Sequence, residues 1–216
     1  MSAMKKIRLL IVDDSVFFRT ALEKALKTDD RVEVIGTAVD TNDAMAKIEK
    51  LEPDVVTLDV EMPGMSGIDF LKQLMPKHPT PVVVVSSLPI RVLDALDAGA
   101  VDFVRKPQIQ SSSDMKFFLS ELSVKIRIAS AAQAGRLQRP AAPRPAAPLP
   151  AQKLSLSSSA CRNCLIAIGA STGGTEAILE VVRDLPATTP GIVVVQHMPP
   201  VFTKLYAERL DRTCHM

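Results

Sequence analysis

Leu9-Leu10-Ile11-Val12-Asp13-Asp14-Ser15 is the stretch on which the fold turns. Its four leading apolar residues leave no wet face, which suits a strand of a parallel sheet covered on both sides. The strand ends on two adjacent acids, and Ser15 supplies the side chain that caps a following helix. A second apolar run, Val55-Val56-Thr57-Leu58, ends on a third acid, Asp59. Three carboxylates gathered at strand ends do nothing for packing. Together they make a cup for a divalent cation and an acceptor for a phosphoryl group.

Working outward, strands are expected at 8–12, 32–38, 54–58, 81–85 and 101–104. Helices are expected between and after them: one following Ser15, then 42–51, 68–74, 91–98 and 113–128. The first helix reads with Val16, Phe17, Thr20, Ala21 and Leu26 on its apolar stripe, and Pro76 reads as the stop of the third. Glu61 to Gly67 is a loop, punctuated by two glycines and a proline. Strands alternating with helices give an α/β fold, a doubly wound five-stranded parallel sheet. In such sheets the reactive edge lies at the carboxyl ends of the strands. Asp13, Asp14, Asp59, Ser86 and Lys106 all fall there.

Composition then shifts. Between Ala131 and Ala160 there are five prolines, four basic residues and no acid, with alanine and serine making up much of the rest. This is a linker, extended where proline dominates and flexible where serine does. The organisation read from the sequence is a first domain at 7–128, a linker at 129–162 and an incomplete second α/β domain at 163–216. The second has strands at 165–168 and 191–195 and helices at 173–183 and 202–210. So few elements are marginal as an independent core, and the chain reads as cut short.

Bulk properties narrow the function classes. The chain has 216 residues, a net charge of +2, 47% hydrophobic residues and 4% aromatics. A nearly balanced charge gives no footprint for nucleic acid, and no apolar run approaches the roughly 18 residues of a membrane span. Three cysteines make no disulfide framework, and the start lacks a signal-peptide pattern, so a cytoplasmic protein is expected.

At the cup, a magnesium-type cation wants hard oxygen ligands, which Asp13, Asp14 and Asp59 offer. Asp59 is the expected nucleophile, giving an acyl phosphate. Lys106 faces the phosphate, and a cis bond to Pro107 is one way to aim it inward. Ser86 donates to a phosphate oxygen, and Phe103, three residues before Lys106, moves inward as Ser86 moves. Each residue alone has a bland reading as a cap, a turn or a solvated lysine. The set at successive strand ends does not.

These residues resemble the response-regulator receiver domain: Val12-Asp13-Asp14-Ser15, Asp59 with Met62-Pro63-Gly64-Met65-Ser66-Gly67, Ser86, and Lys106-Pro107. The resemblance implies phosphotransfer to Asp59 from a partner histidine kinase. It also implies an output face on the fourth helix, fifth strand and fifth helix.

A second site begins at Gly169-Ala170-Ser171-Thr172-Gly173-Gly174. Its first five residues fit the Gly-x-Ser-x-Gly turn that exposes a serine between a strand and a helix. Backbone N–H groups at the helix start, that of Thr172 included, can steady an oxyanion. His197 ends the next strand, and on adjacent parallel strands Ser171 and His197 reach one edge as nucleophile and base. Phosphate binding is the competing reading of a glycine-rich turn, but the spacing is not Gly-x-Gly-x-x-Gly and no P-loop lysine follows. Cys161, Cys164, Cys214 and His215 read as ordinary thiols and an ordinary imidazole, not a zinc site.

The joint pattern resembles the chemotaxis protein-glutamate methylesterase family. It is carried by Ile166 to Glu176, by Val194-Val195-Gln196-His197-Met198-Pro199-Pro200, by Phe202-Thr203 and by Ala207-Glu208-Arg209-Leu210. The resemblance implies Ser171 as nucleophile, His197 as base and methylated glutamates on chemoreceptor cytoplasmic helices as substrate. It also implies methanol release and, in some members, glutamine deamidation. That family completes a triad with a downstream aspartate, whereas this sequence stops at Met216. The expectation is therefore a poorly folded second region with little esterase activity. The alternative is a phospho-receiver that acts only as a binding module.

Overall fold

The computed structural model describes residues 5–87, 90–107, 112–137, 164–198 and 200–216. It comprises two compact units, Met1–Arg136 and Leu137–Met216.

The first unit is built on five parallel strands: β1 (Ile7–Val12), β2 (Val32–Ala38), β3 (Val55–Leu58), β4 (Val82–Ser86) and β5 (Asp102–Arg105), in the order β2-β1-β3-β4-β5. Strand order reverses beside β1, so the carboxyl ends of β1 and β3 flank a crevice. Helices α1 (Val16–Leu26), α2 (Thr41–Leu51), α3 (Gly67–Lys77), α4 (Ile90–Asp97) and α5 (Ser112–Leu137) connect and follow the strands. Strand side chains alternate between two buried faces. Leu9, Ile11, Val83, Val85 and Val104 pack with Leu22 and Leu26 of α1 and with Phe118, Leu122 and Ile126 of α5. Leu10, Val56, Leu58, Val82 and Val84, at intervening positions, are equally buried. Each such side chain contributes roughly 1.5–3 kcal/mol.

Local chemistry fixes the helix starts. Ser15 accepts from the Phe18 N–H, Asp40 from Asn42 and Asp43, and Ser66 from Asp69. Three details differ from the sequence reading. Val16 and Phe17 are 67% and 72% exposed, and α1 instead buries Phe18, Arg19, Leu22 and Leu26. Three apolar residues in a row left the phase of the stripe open, and the ring of Phe18 fixes it by packing at 5.8 Å against Phe118. Helix α3 runs through Pro76 to Lys77. Proline in a last turn forfeits a single N–H, and His78 closes the turn by donating to the Leu74 carbonyl. Helix α5 continues to Leu137, so residues 129–137, expected as linker, are helical. The proline-bearing part of the expected linker, with Cys161, lies outside the described residues.

The second unit pairs β6 (Ile166–Ala170) with β7 (Ile192–Gln196) in parallel, with α6 (Gly174–Val182) and α7 (Pro200–Thr213). Its core is Ile178, Leu179, Val182, Phe202 and Tyr206. The Tyr206 hydroxyl donates to the Thr175 carbonyl, and Arg209 pairs with Glu176 at 2.8 Å, so two contacts tie α7 to α6. Val193 and Val195 of β7 remain exposed. No helix among the described residues is long and apolar enough to cross a membrane.

Candidate functional sites: an acidic cup and a serine turn

The cup forms because the backbone ladder continues past the strands. Asp13 N–H donates to Ala38, Asp59 N–H to Val12 and Lys106 N–H to Ser86. This aligns the residues following β1, β3 and β5 along one edge, with Ser86 closing β4. Oxygen atoms of Asp13, Asp14 and Asp59 lie within 4.8 Å of one another. Asp13 and Asp59 are buried while Asp14 is exposed, which leaves the cup open on one side. Glu61 and Ser15 N–H groups each donate to one of the two buried carboxylates, Asp59 and Asp13 respectively.

Lys106 Nζ stands 2.5 Å from Asp59 and 2.7 Å from Asp13. No cis peptide bond occurs among the described residues, so the expected cis Lys106–Pro107 bond is absent. The trans form is the ordinary preference, and the long lysine stem reaches both acids from it. Burial pushes the Asp13 carboxyl above its usual range, Lys106 pulls it back, and the nearby Asp59 charge adds to the rise. Burial alone would lower Lys106, but its two carboxylate partners together outweigh that and raise it. The opposite balances are compatible, because one ammonium serves two acids while each acid has only a share of it.

Ser86 and Phe103 are both buried. Phe103 already sits inward, under the Lys125 ammonium at 4.9 Å from the ring centroid. Four neighbours were not legible in the sequence. Arg19 donates at 2.5 Å to the Asp13 carbonyl from a buried position. Glu61 accepts from the Ser87 N–H and so links the β3 loop to the end of β4. Lys125 joins Asp102 and the Phe103 carbonyl. Gly67 allows the close passage of the backbone at Asp59 and Val60. A contact between different elements leaves no periodic trace, whether its partners lie six positions apart, as Arg19 and Asp13 do, or 26, as Glu61 and Ser87 do.

The serine turn is shaped by the β6–β7 register, which pairs Ala170 with Gln196 and so sets Ser171 beside His197. His197 N–H donates to the Ala170 carbonyl at 3.3 Å. Ser171 and His197 are exposed and Thr172 is half-buried. Gly173 adopts φ +72° at the N-cap of α6, a left-handed conformation that glycine takes without penalty. Among the described residues no hydrogen bond joins the Ser171 hydroxyl to the His197 ring. Cys164 is exposed and Cys214 half-buried, and the acidic cup contains no cysteine or histidine.

Two families match in succession: the response regulator receiver domain over residues 9–114, and the CheB methylesterase over residues 166–216. The chain belongs to the CheB methylesterase family. A protein-glutamate methylesterase/protein-glutamine glutaminase of Syntrophotalea carbinolica is 51% identical across 98% of this chain and 61% of its own length. A second, from Syntrophomonas wolfei, is 49% identical across 98% of this chain and 59% of its own. The chain thus spans about 60% of the length of these CheB relatives. The crystal structure of the response regulator domain of Thermotoga maritima CheB is 41% identical, with a TM-score of 0.55, covering 59% of this chain and 98% of that one. The first unit thus has the receiver fold.

Proposed function

We propose that this chain is a phosphorylation-regulated chemotaxis response regulator whose second unit hydrolyses glutamate methyl esters on chemoreceptors and deamidates glutamines, as the names of its relatives describe. It rests on one observation above all: the β6–β7 register that sets Ser171 beside His197, in a chain that also carries the acidic cup. The reading assigns the first domain to 7–128 and the catalytic region to 163–216. It puts the protein in the cytoplasm, with a chemotaxis histidine kinase as phosphodonor and methylated receptor helices as substrate. No nucleic acid and no membrane insertion enter the reading.

In the receiver, an Asp59 carboxylate oxygen attacks the phosphorus of a phosphohistidine. The phosphorus–nitrogen bond breaks, its electrons return to the imidazole, and an acyl phosphate remains. Asp13, Asp14 and Asp59 fit a divalent cation such as magnesium, since three hard oxygen donors converge and Lys106 pairs with two of them. When bound, that cation screens the carboxylates from the phosphoryl oxygens. Lys106 then turns from the free carboxylate to the phosphate, Ser86 donates its hydroxyl to a phosphate oxygen, and Phe103 holds the inward position.

In the second unit, His197 takes the Ser171 proton as its oxygen attacks the ester carbonyl. The Thr172 N–H steadies the oxyanion. Collapse expels methanol, which carries the proton away, and water then releases the carboxylate from the acyl-serine. Methanol release from methylated receptor tests this reading: Ser171→Ala abolishes it, and release undiminished in that variant would overturn the assignment.

A receiver acting only as a binding module is the second reading. It draws on the absence of a hydrogen bond between Ser171 and His197 among the described residues, and it predicts phosphate on Asp59 without any hydrolysis.

A further inference from the structure

The amide of Gln196 touches the backbone of both residues assigned to ester hydrolysis. Its Nε2 donates to the Ser171 carbonyl at 2.7 Å and to the His197 carbonyl at 3.3 Å. The Ser171 carbonyl also accepts the Gly174 N–H at 2.8 Å, so one oxygen is shared between the turn and the end of β7. The carboxamide orientation follows from these acceptors, because a flipped amide would set its oxygen against two carbonyls. The cost of that orientation is visible. Among the described residues, Gln196 Oε1 is buried without a hydrogen-bond partner.

Gly174 completes the arrangement. A Cβ there would stand 2.1 Å from Gln196 Oε1 and 2.6 Å from the Ala170 Cβ. The turn and the carboxamide therefore require each other: the glycine leaves space for the amide, and the amide fills it.

We propose that Gln196 is a positioning residue that locks the Ser171 turn to the His197 strand end and so fixes nucleophile and base in register. The proposal rests on the hydrolase reading above. It assigns Gln196 no contact with substrate. Its effect reaches the reaction through the backbone of the two residues it joins. Without the amide, the 3.3 Å bond from the His197 N–H to the Ala170 carbonyl ties the turn to β7 one residue short of the nucleophile, and a misplaced nucleophile loses rate at unchanged substrate affinity.

The test uses the full chain with Gln196→Met, which removes both amide donors at similar volume, and Gln196→Glu, which replaces them with an acceptor. Amide exchange is followed at Gly174 and His197, and methanol release is followed against receptor concentration. The expected result is about tenfold faster exchange at both amides, the scale of one net hydrogen bond, with kcat reduced by about the same factor and KM unchanged. Tyr206, the sole tyrosine of the chain, is buried against α6, and its emission should stay constant in Gln196→Met. Unchanged exchange at Gly174 and His197 overturns the proposal, as does faster exchange throughout the unit with altered Tyr206 emission. An unsubstituted chain that releases no methanol speaks against the hydrolase reading instead, and the exchange result alone then decides whether Gln196 holds the turn.

Discussion

Lys106 Nζ lies 2.5 Å from the Asp59 carboxylate, so the proposed phosphoacceptor is paired with a cation before any phosphoryl group arrives. The same ammonium also holds Asp13 at 2.7 Å and stands 4.8 Å over the ring of Phe18. Removing it leaves two buried acids facing each other. A lysine with 16% of its side chain exposed sits short of the fully buried limit, so Lys106→Met is expected to cost about 2 kcal/mol at neutral pH. The loss should shrink in acid, where Asp13, whose carboxyl burial pushes up, takes a proton and the repulsion goes. Urea unfolding of parent and variant at neutral pH and at pH near 4 checks both magnitude and direction.

Gly67 gives a steric prediction. A Cβ there meets the Asp59 carbonyl oxygen at 2.4 Å and Val60 Cα at 2.7 Å, and neither backbone atom can swing aside. Gly67→Ala should therefore destabilise the first unit by about 1–3 kcal/mol and slow phosphorylation of the adjoining carboxylate. Thermal unfolding and the rate of phosphate incorporation measure the two effects. Gly64, with φ +81° and open space around it, should penalise alanine through backbone strain alone.

The cup was legible because its residues mark strand ends, and strand ends follow from apolar runs that stop. Asp13, Asp59, Ser86 and Lys106 needed only that pattern. The Ser15, Asp40 and Ser66 caps obey local chemistry, although only Ser15 was foreseen. What escaped are contacts between elements, which no periodicity records. Arg19 reads as a helix surface residue until its contact with the Asp13 carbonyl is seen. Lys125 belongs to α5 but serves β5, and Gln196 belongs to β7 but serves a turn 25 residues earlier. The Val16-Phe17-Phe18 run misled because helical phase cannot be set by three adjacent apolar residues. Pro76 misled because one missing N–H matters little in a last turn.

Asp29 predicts the acid limb of stability. Burial alone would raise its carboxyl, but the Ser123 hydroxyl, the Arg31 N–H and the charges of Arg127 and Arg31 outweigh that and hold it below 3.8. A depressed folded value means its contribution is present above 3.8 and is lost as pH falls through the folded value. Asp29→Asn should cost about 1 kcal/mol at neutral pH and make the acid limb shallower. Chemical denaturation from pH 6 down to pH 2 measures it, and an unaltered slope would remove Asp29 from the account.

Tyr206 predicts the alkaline limb of the second unit. Burial is the main cause that pushes its phenol from 10.0 up to about 12. A raised folded value means stability is complete below 10.0 and is lost as pH rises toward about 12. Since it is the only tyrosine, its phenolate absorbance titrates alone. The midpoint should lie near 12 in the folded chain and return to the ordinary value in denaturant. Tyr206→Phe should cost about 1 kcal/mol through the lost bond to the Thr175 carbonyl.

Phosphate transfer to Asp59 is the most direct test of the central claim, because the receiver reading depends on that one carboxylate. The chain is incubated with magnesium and a small-molecule phosphodonor, and the adduct is counted by intact mass before and after hydroxylamine. One phosphoryl group per chain, removed by hydroxylamine and absent from Asp59→Asn, is the predicted result. An equal adduct on the Asp59→Asn chain would contradict the account.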